Sequence, residues 1–324
     1  MHVHRGFLNW GVFLICLGAV PLAVQLNVID SATASSLLRL WPLILIGIGL
    51  GLLLRFSRFQ ALGGFIVAGT LGILVGTFFA AGFPSFSSAC NGDNARGAAV
   101  TRDGTLQDPA DVSIEITCAD LALTRAPTNS WSVEVTSPAA PVIEAIEAGR
   151  LALASGGHDD FLPFGRAPEN WRVSLPAPLG TTYVTLNASR ATLSLGEGLV
   201  LLFSGTLNAS DARVDLGSAD LTHGPLNLVL NASTARVILP SGGMGATSSI
   251  DLNASSLDLC AAPDLGLRIT YDDTLSSQNF ASAGLAQSGK MWQSANYTTA
   301  TAKADLHISA NVSTTTLNPA GGCQ

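Results

Sequence analysis

Charged side chains are scarce in this sequence. Only 12% of its 324 residues are Asp, Glu, Lys or Arg, whereas 48% are hydrophobic. A soluble domain usually carries about 25% charged residues. We therefore expect part of the chain to lie in lipid.

Basic residues are outnumbered by acidic residues after residue 83. The segment before that point holds four Arg and one Asp, which leaves 12 basic and 22 acidic residues for the remainder. Nucleic-acid binding depends on clustered Lys and Arg that neutralise phosphates. The acidic remainder therefore excludes nucleic acid from the expected partners.

Catalytic signatures are missing as well. The chain has no G-x-S-x-G turn, P-loop or H-E-x-x-H motif, the local patterns of several large enzyme classes. Its densest polar cluster is His158, Asp159 and Asp160. Carboxylates of this kind can bind a cation, but charged clusters usually face water, and we favour a solvated loop. We expect no catalytic residue, cofactor or metal site, and a protein that is not an enzyme.

Long hydrophobic runs are present near the N-terminus. They extend over Phe7–Ile29, Leu37–Phe56 and Ala61–Phe83, each close to the roughly 20 residues that a helix needs to cross the hydrocarbon core. A backbone in lipid must satisfy its own hydrogen bonds. We therefore predict three transmembrane helices over residues 7–83, with two spans and a re-entrant third as the alternative.

The placement of arginine predicts the orientation. Arg5 precedes the first run and Arg55 and Arg58 lie between the second and third, whereas only Arg39 is near the other connection. Because Lys and Arg are enriched on the cytoplasmic side, residues 1–6 are expected in the cytoplasm of a multi-pass cell-membrane protein. Residues 84–110 then form a linker, and 111–324 form an extracytoplasmic domain.

The cysteines fit an oxidising compartment. Cys16 lies in the first run, where we expect a buried thiol, and Cys90, Cys118, Cys260 and Cys323 lie in the outer part. An even number of cysteines in such a space indicates disulfides. Three pairings are open to four cysteines, and we favour Cys90–Cys118 with Cys260–Cys323.

The outer part contains a repeat, which predicts a β-solenoid. The chain reads TLNASRATLSLG from Thr185, TLNASDARVDLG from Thr206, VLNASTARVILP from Val229 and DLNASSLDL from Asp251. Alternating apolar and polar residues are typical of short, half-buried strands. A unit of about 22 residues cannot bury its apolar face alone but can do so by stacking. We expect Leu, Val and Ala inside, and Arg, Asp, Thr and Ser outside.

The recurring asparagines have two interpretations. Amide side chains at one corner of each coil can form a ladder of hydrogen bonds. The same residues also lie in N-x-S/T sequons, which are glycosylation acceptors in some secretory pathways. We favour the ladder for Asn187, Asn208, Asn231 and Asn253, whereas the sequons also include Asn296 and Asn311.

Two families resemble parts of the chain. RGFLNWGVFLICLGAVPL from Arg5 and LWPLILIGIGLGLLLR from Leu40 resemble the Lia-type transmembrane region of bacterial cell-envelope-stress proteins. RVSLPAPLGTTYVTLNAS from Arg172 and the LNAS repeats resemble adhesin-like "toastrack" β-domains. The resemblance implies a bacterial envelope protein, a sensor or modulator that acts with a two-component system.

We therefore expect a membrane-anchored, non-enzymatic envelope protein whose repetitive β ectodomain serves binding or envelope-stress sensing. Its expected partners are the bilayer and an envelope polymer or another membrane protein such as a sensor kinase. Gly72 and Gly76 have the spacing that lets helices approach closely. This spacing fits helix packing within one chain and also between two copies, so a homo-oligomer is one of the alternatives. The alternatives are a structural or adhesive surface protein and a carbohydrate-active β-helix enzyme.

Overall fold

The structure is a computed structural model that describes residues 10–15, 49, 63–72, 90, 97–146, 149–156 and 167–323. The chain divides into two compact units, Met1–Pro84 and Ser85–Gln324.

The N-terminal unit corrects the predicted fold class. Its described helical residues include α1 (10–15) and α2 (63–72). In the described part of the chain, neither helix has the length and apolar character of a membrane span. The prediction of three transmembrane helices is therefore wrong, and the rest of the three runs lies outside the described residues.

The C-terminal unit is built of strands. In chain order they are β1 (Ala98–Thr105), β2 (Ala110–Thr117), β3 (Ala119–Arg125), β4 (Ser130–Ser137), β5 (Val142–Ile146), β6 (Arg150–Ala154), β7 (Glu169–Leu175), β8 (Leu179–Asn187), β9 (Arg190–Ser194), β10 (Gly198–Asn208), β11 (Asp211–Asp215), β12 (Ala219–Asp220), β13 (Leu226–Asn231), β14 (Thr234–Ile238), β15 (Ser248–Asn253), β16 (Ser256–Cys260), β17 (Gly266–Thr274), β18 (Ser277–Gln278), β19 (Ala286–Ser288), β20 (Met291–Gln293), β21 (Lys303–Asn311) and β22 (Thr314–Leu317). Strand β1 lies within the segment 84–110 that we expected to be a linker, so the β domain begins earlier than predicted.

The strands form two sheets, which we call sheet A and sheet B. Sheet A has the order β1-β4-β7-β3-β9-β11-β14-β16-β22-β18, and sheet B the order β19-β20-β17-β21-β15-β13-β10-β8-β2-β6-β5, with β12 beside β10. Each coil of the chain passes from a strand of sheet B through a tight corner into a strand of sheet A, as β10 leads to β11. The coils stack in parallel, but not always in chain order, because β21 lies between β15 and β17.

The repeats stack in register, which explains the core. Leu186, Leu207, Leu230 and Leu252 occupy equivalent positions on adjacent strands of sheet B, and all are at most 1% exposed. Burial of one such side chain contributes about 1.5–3 kcal/mol. The steps of 21, 23 and 22 residues between the repeat asparagines are therefore the lengths of successive coils.

The tight corner uses a left-handed backbone at the residue after the last residue of the sheet B strand, which is an asparagine or a threonine. Positive φ occurs here at Cys118, Ala188, Ala209, Ala232, Ala254, Leu275 and Val312, all between 49° and 56°. Such a conformation costs roughly 1–2 kcal/mol for a residue other than glycine. Backbone hydrogen bonds between coils offset this cost, since the N–H of Ala209 donates to the carbonyl of Asn231 over 2.8 Å.

A buried serine follows the left-handed residue, contrary to the expectation that the serines point outward. Ser189, Ser210 and Ser233 are at most 4% exposed. The Oγ of Ser210 accepts the N–H of Ser189 over 3.1 Å, and the Oγ of Ser233 accepts that of Ser210 over 3.0 Å. Each hydroxyl is also 2.9 Å from the asparagine carbonyl two residues before it. The serines are inside because the corner leaves backbone groups that the strands cannot pair.

Two disulfides connect the ends of the chain's β domain to its coils. They join Cys90 to Cys118 and Cys260 to Cys323, the two pairs that we favoured, across sequence separations of 28 and 63 residues. Crosslinks over loops of such lengths typically stabilise a fold by about 2–4 kcal/mol. The first reaches a left-handed corner residue, and the second holds the C-terminus to the end of β16.

Substitution of a corner serine should destabilise the domain. We expect Ser210→Ala to lower the free energy of unfolding by about 1–3 kcal/mol, because the buried N–H of Ser189 loses its acceptor. Equilibrium denaturation of the full chain in detergent, followed by tryptophan fluorescence, measures the change. Ser132→Ala, at an exposed position of β4, is the matched control, and equal shifts for the two variants would contradict the role of the hydroxyl.

Candidate binding face

The repeat asparagines form a hydrogen-bonded ladder along one edge of sheet B. The Nδ2 of Asn208 donates to the Oδ1 of Asn187 over 2.8 Å, and the series continues through Asn231 and Asn253 at 2.9 and 3.0 Å. Asn311 extends it by donating to Asn253 over 3.3 Å. Asn208, Asn231 and Asn253 are thus both donors and acceptors, so the ladder stabilises the stacking of coils that are distant in sequence.

The asparagine ladder uses the same side-chain nitrogens that N-glycosylation of the sequons would modify. A glycan would be attached to Nδ2, the atom that donates along the ladder in Asn208, Asn231 and Asn253. The serine hydroxyl of each N-A-S triplet is already hydrogen-bonded to backbone groups at the corner. Asn296 is different, because its Nδ2 is 3.3 and 3.2 Å from the carbonyls of Pro263 and Asp264 and is not in the ladder.

The outer face of sheet A is charged. In the three coils β8–β9, β10–β11 and β13–β14, its outward side chains include Arg190, Asp211, Arg213, Asp215 and Arg236. Opposite charges pair across it, at 3.4 Å for Arg190 with Asp120 and 2.9 Å for Arg236 with Asp258. Exposed pairs of this kind contribute at most about 1 kcal/mol each, and they leave the face close to neutral in sum.

The same three coils present no charge on sheet B. We call this surface the neutral face and define it by the outward residues of β8, β10 and β13, which are Thr181, Tyr183, Thr185, Asn187, Leu202, Ser204, Thr206, Asn208, Asn227, Val229 and Asn231. Strand spacings make it about 20 Å long and about 10 Å wide. The contrast arises from the sequence, because the strands before the corners alternate apolar with uncharged residues and those after the corners alternate apolar with charged ones.

Polar groups of the neutral face are open to solvent. Among the described residues, no hydrogen-bond partner is found for the hydroxyls of Tyr183, Ser204 and Thr206. Asn227 accepts a hydrogen bond from Ser249 over 3.0 Å, while its Nδ2 stays available. Tyr183 is 52% exposed, whereas Trp131, Trp171 and Trp292 are buried. Tyr183, Ser204, Thr206 and Asn227 therefore offer hydroxyl, amide and aromatic groups on a hydrogen-bonded sheet, whereas the asparagines at the end of the same face are engaged in the asparagine ladder.

Acidic residues border the neutral face. Glu115 and Asp251 flank it in the row next to the asparagine ladder. Farther along, Asp272 accepts a hydrogen bond from Lys290 and is 3.7 Å from Nε2 of His307. The hydrogen bond from Lys290 holds the pKa of Asp272 below its ordinary value, so this carboxylate stays charged at neutral pH. The border disfavours an anionic ligand.

The other candidates from the sequence have different outcomes. His158, Asp159 and Asp160 lie outside the described residues, so a role for them stays a prediction. The neutral face was missed, although a comparison of charges before and after each repeat asparagine could have found it. The hydrogen-bonded series of Ser189, Ser210 and Ser233, which we call the serine ladder, was missed because serine in an alternating pattern usually indicates an exposed position.

Comparison with known proteins agrees with the resemblance at the N-terminus. Residues 10–53 match the family model of the LiaI-LiaF-like transmembrane region. No curated protein matches the sequence. The chain therefore carries a membrane-associated region of this type before its β domain.

Solved structures from bacteria are similar to the β domain. A candidate cell adhesion protein of Clostridium sporogenes ATCC 15579 aligns over 68% of this chain and 99% of its own, at 11% identity and a TM-score of 0.42. A candidate adhesin of Bacteroides fragilis NCTC 9343 aligns over 68% and 97%, at 8% identity and a TM-score of 0.31. A candidate adhesin of Parabacteroides distasonis ATCC 8503 aligns over the same shares, at 9% identity and a TM-score of 0.26.

Removal of one amide tests the asparagine ladder. Asn208→Ala eliminates the donor to Asn187 and the acceptor for Asn231, and we expect the free energy of unfolding to fall by about 1–3 kcal/mol. Asn170→Ala, at an exposed position of sheet A, should change it by less than about 0.5 kcal/mol. The free energy of unfolding of each variant is measured by denaturation of the full chain in detergent. Equal values for the two variants would contradict a stabilising role of the ladder.

Proposed function

We propose that this protein is a membrane-anchored, non-enzymatic binding module of the bacterial cell envelope. Its N-terminal region attaches the chain to the membrane, and its β domain binds an envelope partner outside the cytoplasm, so that the cell senses or regulates envelope stress. The neutral face carries this proposal, because the hydroxyls of Tyr183, Ser204 and Thr206 are held on its sheet without a hydrogen-bond partner among the described residues.

The remaining polar side chains support a binding role over catalysis. The asparagines and serines of the corners are used to hold coils together, and the arginines and aspartates of sheet A pair with each other. Catalysis requires an acid, base or nucleophile held near a reacting group. The neutral face has hydroxyls and amides but no titratable pair, which suits recognition.

The cysteines support an extracytoplasmic position for the β domain. Disulfides persist in oxidising compartments and are rare in the cytosol, and the two pairs would hold both ends of the domain. The excess of arginine before residue 59 on one side of the hydrophobic runs agrees with a cytoplasmic N-terminus of a multi-pass anchor.

Thiol trapping tests this position. Intact cells are treated with a membrane-permeant alkylating agent, and the purified full chain is analysed by mass spectrometry before and after reduction. We expect Cys90, Cys118, Cys260 and Cys323 to be unmodified until the disulfides are reduced, because the domain folds in an oxidising space. Alkylation of all four in cells that received no reductant would place the domain in the cytosol, and alkylation of a cytoplasmic protein in the same cells is the control for entry of the reagent.

Deletion of the β domain tests the function. Cells that produce only residues 1–96 should lose the change in an envelope-stress reporter that the full chain causes under a cell-wall antibiotic, since the partner can no longer bind. A chain with an unrelated β domain of similar size after residue 96 is the matched control, and immunoblotting confirms equal amounts. A reporter response that is unchanged by the deletion would contradict the proposal.

A further inference from the structure

The occupant of the neutral face follows from its chemistry. On the basis of the proposed function, we infer that this face binds a neutral polysaccharide, with Tyr183 as the stacking residue and the surrounding hydroxyls and amides as hydrogen-bonding partners.

The arrangement of groups around Tyr183 supports this assignment. Ser204 lies directly opposite Tyr183 on β10, and Asn227 follows in the same row on β13. Leu202 faces Thr181, two residues before Tyr183, and is therefore the diagonal neighbour of the ring on the same face. One aromatic ring and one aliphatic side chain are thus flanked by short polar groups within about 10 Å.

These groups match those of a sugar ring. A pyranose presents C–H groups on its faces and hydroxyls around its rim. The half-exposed ring of Tyr183 offers an apolar surface with a polar tip. Hydroxyls of Thr and Ser both donate and accept hydrogen bonds, and an Asn amide does so through separate atoms. The face can therefore satisfy both donors and acceptors of a polyhydroxylated ligand without any charged group.

Charge excludes the other polymers of an envelope. The segment after residue 83 has 12 basic and 22 acidic residues, and Glu115 and Asp251 border the face. Anionic polymers such as polyphosphates would be repelled by this field and would find no Arg or Lys on the face to pair with. A neutral chain meets no repulsion there.

The elongated shape of the face suits a chain molecule. It is about 20 Å long in the strand direction and about 10 Å wide, and the parallel coils hold β8, β10 and β13 in register across it. Because the backbone is held by two ladders at the adjacent corner, its groups are positioned before the ligand arrives, which lowers the entropic cost of binding.

Affinity electrophoresis of the full chain in detergent tests the inference. Gels contain one soluble neutral polysaccharide each, either glycol chitin, hydroxyethyl cellulose or dextran, and a gel with polygalacturonate is the anionic comparison. We expect retardation by at least one neutral polymer and none by polygalacturonate. Tyr183→Ala should weaken the binding at least about tenfold, whereas Tyr183→Phe should retain it because the ring is kept.

A pair of blocking variants locates the site. Ser204→Arg places a long side chain beside Tyr183 and should abolish retardation, while Thr234→Arg, at an exposed position on sheet A of a neighbouring coil, should leave it unchanged. Thermal denaturation of each variant verifies that the fold is intact. Equal effects of the two substitutions, or binding that survives both Tyr183→Ala and Ser204→Arg, would overturn the assignment.

The outcome is separate from that of the proposed function. If the reporter still depends on the β domain but no neutral polymer retards the chain, the proposal of a binding module is supported and the inference of a polysaccharide ligand is contradicted. If Ser204→Arg then also abolishes the reporter response, the face belongs to a protein partner instead. If the neutral polymers bind but the reporter ignores the deletion, the inference stands and the sensing role falls.

Discussion

At the tight corner of each N-A-S triplet, a buried serine hydroxyl accepts a backbone N–H from the adjacent coil and lies within hydrogen-bonding distance of a carbonyl of its own coil. The left-handed residue before it makes the chain reverse within two residues, which brings sheets A and B together but leaves backbone groups that neither sheet can pair. Without an internal partner, such groups would be buried at a cost of about 1–3 kcal/mol each. The serine removes that cost once per coil, and so allows a small leucine-lined core to be repeated along the chain.

The asparagine ladder and the serine ladder make different kinds of hydrogen bond at this corner. Asn208 is half-buried at the end of its strand and bonds to the amides before and after it, whereas Ser210 is inside and bonds to the backbone. Both recur in the four N-A-S triplets, where each makes a hydrogen bond that the strands do not supply. The strands that enter the corner are then free to vary outward, and in three coils they vary toward hydroxyls and amides and produce the neutral face.

The repeat of the sequence made part of this structure predictable. The spacing of Asn187, Asn208 and Asn231 indicated coils of about 22 residues, and the apolar positions such as Leu207 and Val214 are indeed inside. The buried position of Ser210 could not be foreseen, because Ser210 lies in the break of the alternation between Ala209 and Ala212, where the pattern no longer assigns a side chain to the inside or the outside. The strand β1 was missed for a related reason, since its residues are mostly exposed and lack an apolar alternation. The prediction of three membrane-spanning helices was wrong, because hydropathy reports the solvent that a segment prefers and not its hydrogen bonding, and no helix of the described residues is long and apolar enough to span a membrane.

The stacking order of the coils has a consequence for biogenesis. Strands β21 and β22 are inserted between β15–β16 and β17–β18, although they come last in the chain. A nascent polypeptide that has been synthesised only as far as residue 302 therefore has an unfilled slot in both sheets, with unpaired edges on either side. The molecule is completed only when its final segment returns to fill the gap, after which Cys323 can be joined to Cys260. The β domain is thus completed only when strands β21 and β22 are inserted. Truncated translation products would keep exposed strand edges, which favour aggregation and proteolysis.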